Sequence, residues 1–341
     1  MTEPKQPAPE ADESDGRDPL EDEASAAAAA TTCTVRFVVE HNYRGWRLDR
    51  YLCAKIRRMS RARAQQIIRA GRLSDRPLKP STPVTTGLVL TLTRPREPEP
   101  ETPLELPVVY RDAELMVVDK PTGLPMHPSA RYFTGTLVAR ARALALPGQK
   151  PDPAHRLDRE TSGLVVCGLA PEWTRSLKLS FAAGRVRKAY LAVTEGAPEE
   201  DEFEVDLPLA VGGETVRIRV VGDRDHGKPA TTRFRVVSRL EIRGEPFALV
   251  RCEPLTGRQH QIRAHLAAKG FPIVGDKIYG RDERIFVRFT ERALTEEDWR
   301  TLRLPRHALH AAEIAFPHPR DALPMRFEAG LPEDLREFLA G

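Results

Sequence analysis

The stretch His155-Arg-Leu-Asp-Arg-Glu-Thr-Ser-Gly-Leu-Val-Val-Cys-Gly-Leu169 divides into two halves of opposite character. The first half is polar and charged, whereas Gly163 to Leu169 is an apolar, β-branched run of the kind that forms a buried strand. Asp158 is thereby placed on a loop that leads into the core, where a rigid strand can hold a reactive side chain in position. Taken alone, an aspartate between Arg156 and Arg159 reads at least as well as an ion-paired loop residue.

Working outward, the chain has 341 residues, 40% apolar and 30% charged, enough for two globular domains. No apolar run approaches the ~20 residues of a membrane span, and the acidic N-terminus lacks the basic start and apolar core of a secretory signal. A cytoplasmic monomer with no membrane association is expected. Cys33, Cys53, Cys167 and Cys252 form no C-x-x-C pair, so free thiols are expected rather than disulfides or a thiolate metal site. The net charge of +4 hides an asymmetry: residues 1–30 hold nine acids against Lys5 and Arg17, leaving 51 basic and 40 acidic residues beyond them. That excess suits a polyanionic partner.

Residues 1–32, rich in Pro, Glu, Asp and Ala, have too few large apolar groups to offset the entropy of ordering and are expected to form a disordered acidic tail. From Trp46 onward, Leu48, Tyr51, Leu52, Ile56 and Met59 recur at helical spacing. Ser60 is positioned to cap a second helix carrying Ile67 and Ile68 and ending at Gly71, and Leu88 to Thr93 alternates as a strand. Nine basic residues and one acid, Asp49, lie between Arg47 and Arg72. Residues 94–107 contain five prolines and are expected to be a semi-rigid linker. A domain of residues 33–93 would precede it and one of residues 108–341 would follow.

In the second domain, strands are expected at Val108–Tyr110, Leu115–Val118, Arg187–Thr194, Phe203–Leu207, Thr215–Val221 and Phe247–Glu253, with a helix opened by Pro171 and closed by Gly184. Residues 281–305 read as a helical insertion. The run Thr256-Gly-Arg-Gln-His-Gln-Ile-Arg-Ala-His-Leu266 brings His260 and His265 five apart, about 140° around a helix, so they do not face one metal ion. No P-loop or dinucleotide fingerprint is present.

Three motifs carry a resemblance. His155–Leu169 resembles the H-R-L-D-x-x-T-S-G-L signature of the RluA-type pseudouridine synthases. Thr256–Gly280 is similar to their T-G-R-x-H-Q-I-R-x-H-L and G-D-x-x-Y-G, and Arg306–Pro319 to their L-H-A…F-x-H-P strand. The turn Asp119-Lys-Pro-Thr-Gly departs from the family's N-K-P-x-G at its first residue. The order R-L-D-x-x-L, S-R-A-x-A, Gly71 and a strand resembles the S-four-type RNA-binding domain named after a small-subunit ribosomal protein. The resemblance spans roughly residues 45–320. It implies an α+β fold, with a mainly antiparallel or mixed sheet and peripheral helices in the catalytic domain, plus a small α/β RNA-binding domain.

It implies also a reaction in which the bond from ribose to base nitrogen is cleaved, the uracil turned and the ring rejoined through carbon. No cofactor is required. Asp158 would act at the ribose with Arg263 as its counter-charge, paired through a planar fork, and Tyr190 would pack against the base. Arg156 would fill the space of the flipped base, Leu309 would line the pocket, and Arg258 and His260 would contact RNA. Arg61, Arg63 and Arg69 would grip phosphates in the first domain. The expected substrate is structured ribosomal RNA of the large subunit, free or in a pre-ribosomal particle, with transfer RNA as runner-up. Two other readings remain open: a glycosidase using Glu160 as second carboxylate, and an inert RNA-binding assembly factor.

Overall fold

The computed structural model describes residues 32–341 except 57–58, 72, 74–76, 96–98, 130, 214–215 and 217. The acidic tail, Arg72, the middle of the proline-rich stretch and part of the strand expected at 215–221 lie outside the described residues. The chain forms two compact units, residues 1–99 and 100–341.

In the first unit, β1 (Thr32–Val38) pairs antiparallel with β2 (Val89–Pro95). Between them run α1 (Leu48–Lys55) and α2 (Arg61–Arg69). Leu48, Tyr51 and Leu52 on α1 meet Ala64 and Ile68 on α2 beneath Val84 and Leu90, so the apolar spacing produces the core. Ser60 caps α2 by accepting the Arg63 N–H, and Gly71 follows the helix at φ +68°. Asp49 is fully buried and accepts from Arg47, Arg61 and Gln65. β1 was not foreseen; its alternation is short and adjoins the alanine-rich tail.

The second unit is built on one mixed sheet. In chain order its elements are β3 (Val108–Arg111), β4 (Leu115–Lys120), α3 (Leu137–Ala143), β5 (Asp152–Pro153), β6 (Ser162–Gly168), α4 (Pro171–Ala182), β7 (Arg187–Glu195), β8 (Glu202–Asp206), β9 (Leu209–Val211), β10 (Val220–Gly222), β11 (Thr231–Ile242), β12 (Glu245–Pro254), α5 (Gln261–Ala268), α6 (Arg284–Thr290), α7 (Glu296–Leu302), β13 (Leu309–Pro317), β14 (Pro324–Glu328) and α8 (Glu333–Ala340). The sheet runs β3-β4-β6-β13-β7-β12-β11-β8, with β14 on β13 and β5 on β6. Among the described residues only β6 and β13 pair in parallel. Of the strand expected at 215–221, Val220 and Val221 lie in β10, which pairs with β9 in a separate ribbon, whereas the described Val216, Ile218 and Arg219 lie in no strand. The proline-rich stretch is anchored at both ends, Pro95 within β2 and Leu106 within the core of the second unit.

β6 is buried along its whole length, as its unbroken apolar run requires. Its residues Val165 and Cys167 face one core with Met116, Val118 and Leu137, while Leu164 and Val166 face another with Leu177 and Phe316. Within the insertion, Thr295 and Asp298 form a reciprocal capping box at the start of α7, and Arg288 of α6 pairs with Asp298.

β6 and β13 come close together at Gly163, which sits at φ +111°, where an added Cβ would lie 2.3 Å from the Ala311 carbonyl oxygen and 2.7 Å from its nitrogen. Only the absence of a side chain lets β6 and β13 meet there. Gly163→Ala is expected to destabilise the second unit by about 2–5 kcal/mol through strain and clash together. A denaturant midpoint within error of wild type would show that the strands can part without loss.

Candidate active site

The loop before β6 is fixed at three places. His155 accepts the Val166 N–H through Nε2 at 3.1 Å and stacks on Phe181. Burial, with Lys188 nearby, pushes its pKa down to about 3, so it serves as a neutral clasp. Leu157 is buried in the core. On the far side, the fully buried Lys120 donates to the carbonyls of Pro121, Leu124 and Arg159 at 2.9–3.0 Å. The Gly123 N–H also reaches the Arg159 carbonyl and the Thr122 hydroxyl the Glu160 carbonyl. The turn after β4 therefore grips the residues that follow Asp158, although Asp119 departs from the expected asparagine.

Glu160 is held by Lys277 through both oxygens at 3.0 Å and by Arg159 at 3.3 Å. Burial raises its pKa, but His307, Lys277 and Arg159 outweigh that and leave it below the ordinary value. A carboxylate held ionised in this way is a poor general acid, which counts against the glycosidase reading. Phe289 of α6 lies against both cations, 5.0 Å from Lys277 and 5.8 Å from Arg159, so the insertion backs the loop.

The opposing wall is α5. Gln261 locks its approach: Oε1 accepts from the Thr256 hydroxyl and the Arg258 N–H, and Nε2 donates to the Thr231 carbonyl and the Thr232 hydroxyl. His260 precedes the helix in the left-handed region at φ +53°, a conformation worth about 1–3 kcal/mol of strain in a non-glycine residue. His265 turns away, bonded to Thr232 and the Leu207 carbonyl.

Arg263 points into the cleft and is only 5% exposed. Its Nη1 donates to Asp158 Oδ2 at 2.8 Å. The fork, expected on Asp158, is instead on Asp276: Nε donates to Oδ2 at 2.6 Å and Nη2 to Oδ1 at 2.8 Å. Asp276 Oδ1 also accepts the N–H groups of Ile278 and Tyr279, and the Tyr279 ring lies 5.1 Å from the guanidinium. The arginine is thus aimed by Asp276 and turns Nη1 to Asp158. Burial alone would raise the pKa of Asp158, but the positive charge of Arg263 and its hydrogen bond hold it below the usual carboxylate value.

Asp158, Arg156, Tyr190, Arg258, His260, Arg263 and Leu309 all line one cleft of about 630 Å³. Tyr190 lies in β7 opposite Ala311 of β13, beside a register shift between Ala311 and Glu313, and Leu309 opens β13. β6, β13 and β7 thus deliver Asp158, Leu309 and Tyr190 to the same end of the sheet. Arg156 and Arg258 are exposed, and Arg258 Nε donates to the Pro229 carbonyl. Lys188 also lines the cleft. In the first unit, Arg61 is partly committed to Asp49, while Arg63 and Arg69 reach Gln66 and Gln65 on their own helix.

Asp276, Tyr279 and Lys188 were not foreseen as site residues, although the first two stand in the quoted G-D-x-x-Y-G run and the third precedes Tyr190 by two residues. Their place in those motifs was the available signal. Asp112, Glu114 and His318 bring donor atoms within 4.8 Å of one another. They lie at the other end of β4 from Lys120 and are engaged with Arg320 and Asp321. Among the described residues no helix is long and apolar enough to cross a membrane.

The family model described as RNA pseudouridylate synthase matches residues 114–268. A protein of Zymomonas mobilis named ribosomal large subunit pseudouridine synthase D is 31% identical over 307 residues, 86% of this chain and 92% of that one. Its namesake in Pseudomonas aeruginosa is 34% identical, covering 85% and 90%. An uncharacterized RNA pseudouridine synthase of Chloroflexus aurantiacus is 37% identical, covering 85% and 88%. Among solved structures, human RNA pseudouridylate synthase domain containing 4 superposes with a TM-score of 0.54 at 25% identity, covering 69% of this chain and 92% of that one.

The two partners of Arg263 differ in what their loss should do. Arg263→Ala leaves Asp276 buried without its counter-charge and is expected to cost about 3–5 kcal/mol of stability, whereas Asp158→Asn, which leaves the fork intact, should cost less than ~1 kcal/mol. Because the pKa values of Asp158 and Asp276 are both depressed in the folded state, their contribution is present above the unfolded value near ~3.9 and is lost as pH falls below it. Equal losses in the two variants, measured by urea denaturation at pH 7, would contradict this division of labour.

Proposed function

The chain belongs to the RluA-type RNA pseudouridine synthases and is an RNA pseudouridine synthase, and from that premise we propose that its substrate is ribosomal RNA of the large subunit and that Asp158 performs the chemistry. Relatives named as large-subunit enzymes, aligned over most of both chains, favour that target. The observation that carries the assignment of Asp158 is its bond to the buried Arg263 in a cleft lined by an aromatic ring, an aliphatic side chain and cations.

The isomerisation breaks the N1–C1′ bond, forms C5–C1′, releases the C5 proton and returns a proton to N1. Asp158 enters ionised, either attacking C1′ or removing the neighbouring ribose proton. Arg263 keeps it ionised in a site that would otherwise favour the neutral acid. Tyr190 and Leu309 hold the uracil between a ring and an alkyl group while it turns. Arg156, exposed at the cleft, takes the place of the extruded base, and Arg258 and Lys188 meet backbone phosphates. The first unit adds grip through Arg63 and Arg69.

RNA labelled with tritium at uracil C5 releases the label when C5–C1′ forms. Asp158→Asn is expected to abolish release while leaving RNA affinity within a few-fold, and release above a tenth of the wild-type rate would remove Asp158 from its role. Large-subunit RNA from a strain lacking the gene should release label in preference to transfer RNA from the same strain; the reverse preference would overturn the target. Replacing Arg63 and Arg69 together by alanine should make the log–log salt dependence of RNA binding shallower by about 1.5. An unchanged slope would mean that this helix face meets only solvent.

A further inference from the structure

The two oxygens of Asp158 are not equivalent. Oδ2 accepts from Arg263 at 2.8 Å and lies 3.8 Å from Nε2 of His260, whereas Oδ1 accepts no hydrogen bond among the described residues. A separation of 3.8 Å is too long for a hydrogen bond and within about 1 Å of one, the looseness expected before substrate closes a cleft.

The proton arrangement of His260 is set from its other face. The Val220 N–H donates to Tyr279 Oη at 2.7 Å, and Tyr279 Oη is 3.1 Å from Nδ1 of His260. Among the described residues Nδ1 is the acceptor in reach of that hydroxyl's own hydrogen, and with the hydrogen satisfied there the single ring proton falls on Nε2, facing Asp158. The groups around the imidazole are Arg263, Asp158, Asp276, Arg156 and Tyr279. Burial, then Arg263, hold its pKa below the ordinary histidine value despite the two aspartates, so the ring is neutral near pH 7.

We propose that His260 is a positioning residue for the isomerisation: its Nε2–H, oriented by Tyr279, steadies Oδ2 of Asp158 beside Arg263 and leaves Oδ1 as the oxygen that acts at the ribose. This rests on the reading of Asp158 given above. It explains why a non-glycine residue is held in the left-handed region at the start of α5, where the ring can face Asp158 and Tyr279 at once. A neutral donor orients the carboxylate without laying a second full cation on it.

The test is single-turnover tritium release by the full-length protein at saturating enzyme, using C5-labelled total RNA from a strain lacking the gene, with thermal midpoints and RNA affinity measured in parallel. His260→Ala should slow the rate constant about 10–100-fold with affinity within twofold. His260→Gln, whose amide can donate from nearly the same place, should react at least tenfold faster than the alanine variant. Tyr279→Phe should slow the step and make its rate fall with acid sooner than in wild type, because Nδ1 freed of its hydroxyl donor takes up a proton more readily. The proposal is overturned if His260→Ala stays within twofold of wild type, if it loses affinity rather than rate, if glutamine is no better than alanine, or if the Tyr279→Phe profile parallels wild type. Asp158→Asn separates the two readings: an active Asp158→Asn removes the premise, whereas an inactive one beside an unimpaired His260→Ala removes only the role of His260.

Discussion

The site depends on a line of three charges, Asp276, Arg263 and Asp158, in a wall that water barely reaches. A single aspartate there would take up a proton, and a single arginine would be too poorly solvated to stay. The arrangement works because Arg263 is neutralised twice, by a fork to Asp276 that fixes its plane and by the Nη1 bond that fixes Asp158. Much else serves to keep that line straight: Gln261 locks the loop before α5, the turn after β4 clamps the loop before β6, and Phe289 lies against the cations that hold Glu160.

That division of tasks separates holding from reacting. Glu160, Lys277 and His307 form their own cluster beside the cleft, with burial and Arg263 driving the pKa of His307 down to about 3. They fix the course of the backbone and leave Asp158 as the ionised carboxylate that lines the cleft. The exposed cations at the mouth, Arg156 and Arg258, stand where an RNA backbone can meet them without entering the reacting volume.

Much of this was legible in the sequence because the motifs name residue types whose spacing survives folding. Asp158, Arg156, Tyr190, Arg258, His260, Arg263 and Leu309, drawn from positions up to 153 residues apart, meet in one cleft. What the sequence could not show was partnership. Arg263 lies 105 residues from Asp158 and 13 from Asp276, and nothing in those separations says which carboxylate receives the fork. Short elements failed for a different reason. β9 and β14, of three and five residues, are too short for a periodic pattern to stand out, and their pairing, rather than their composition, makes them regular.

One feature of the topology bears on how the molecule comes into being. β13 begins at residue 309 yet occupies the middle of the sheet, joined to β6 on one side and β7 on the other. During synthesis, every strand from β3 to β12 leaves the ribosome before the piece that unites them. Until it inserts, two half-sheets expose long unpaired edges, the state in which strands of different chains pair wrongly. Asp158 likewise lacks Leu309 as a neighbour until then, so a nascent chain that has already made the first unit has no finished cleft. The sheet and the cleft at its end are therefore completed late and together, when a single strand closes the seam.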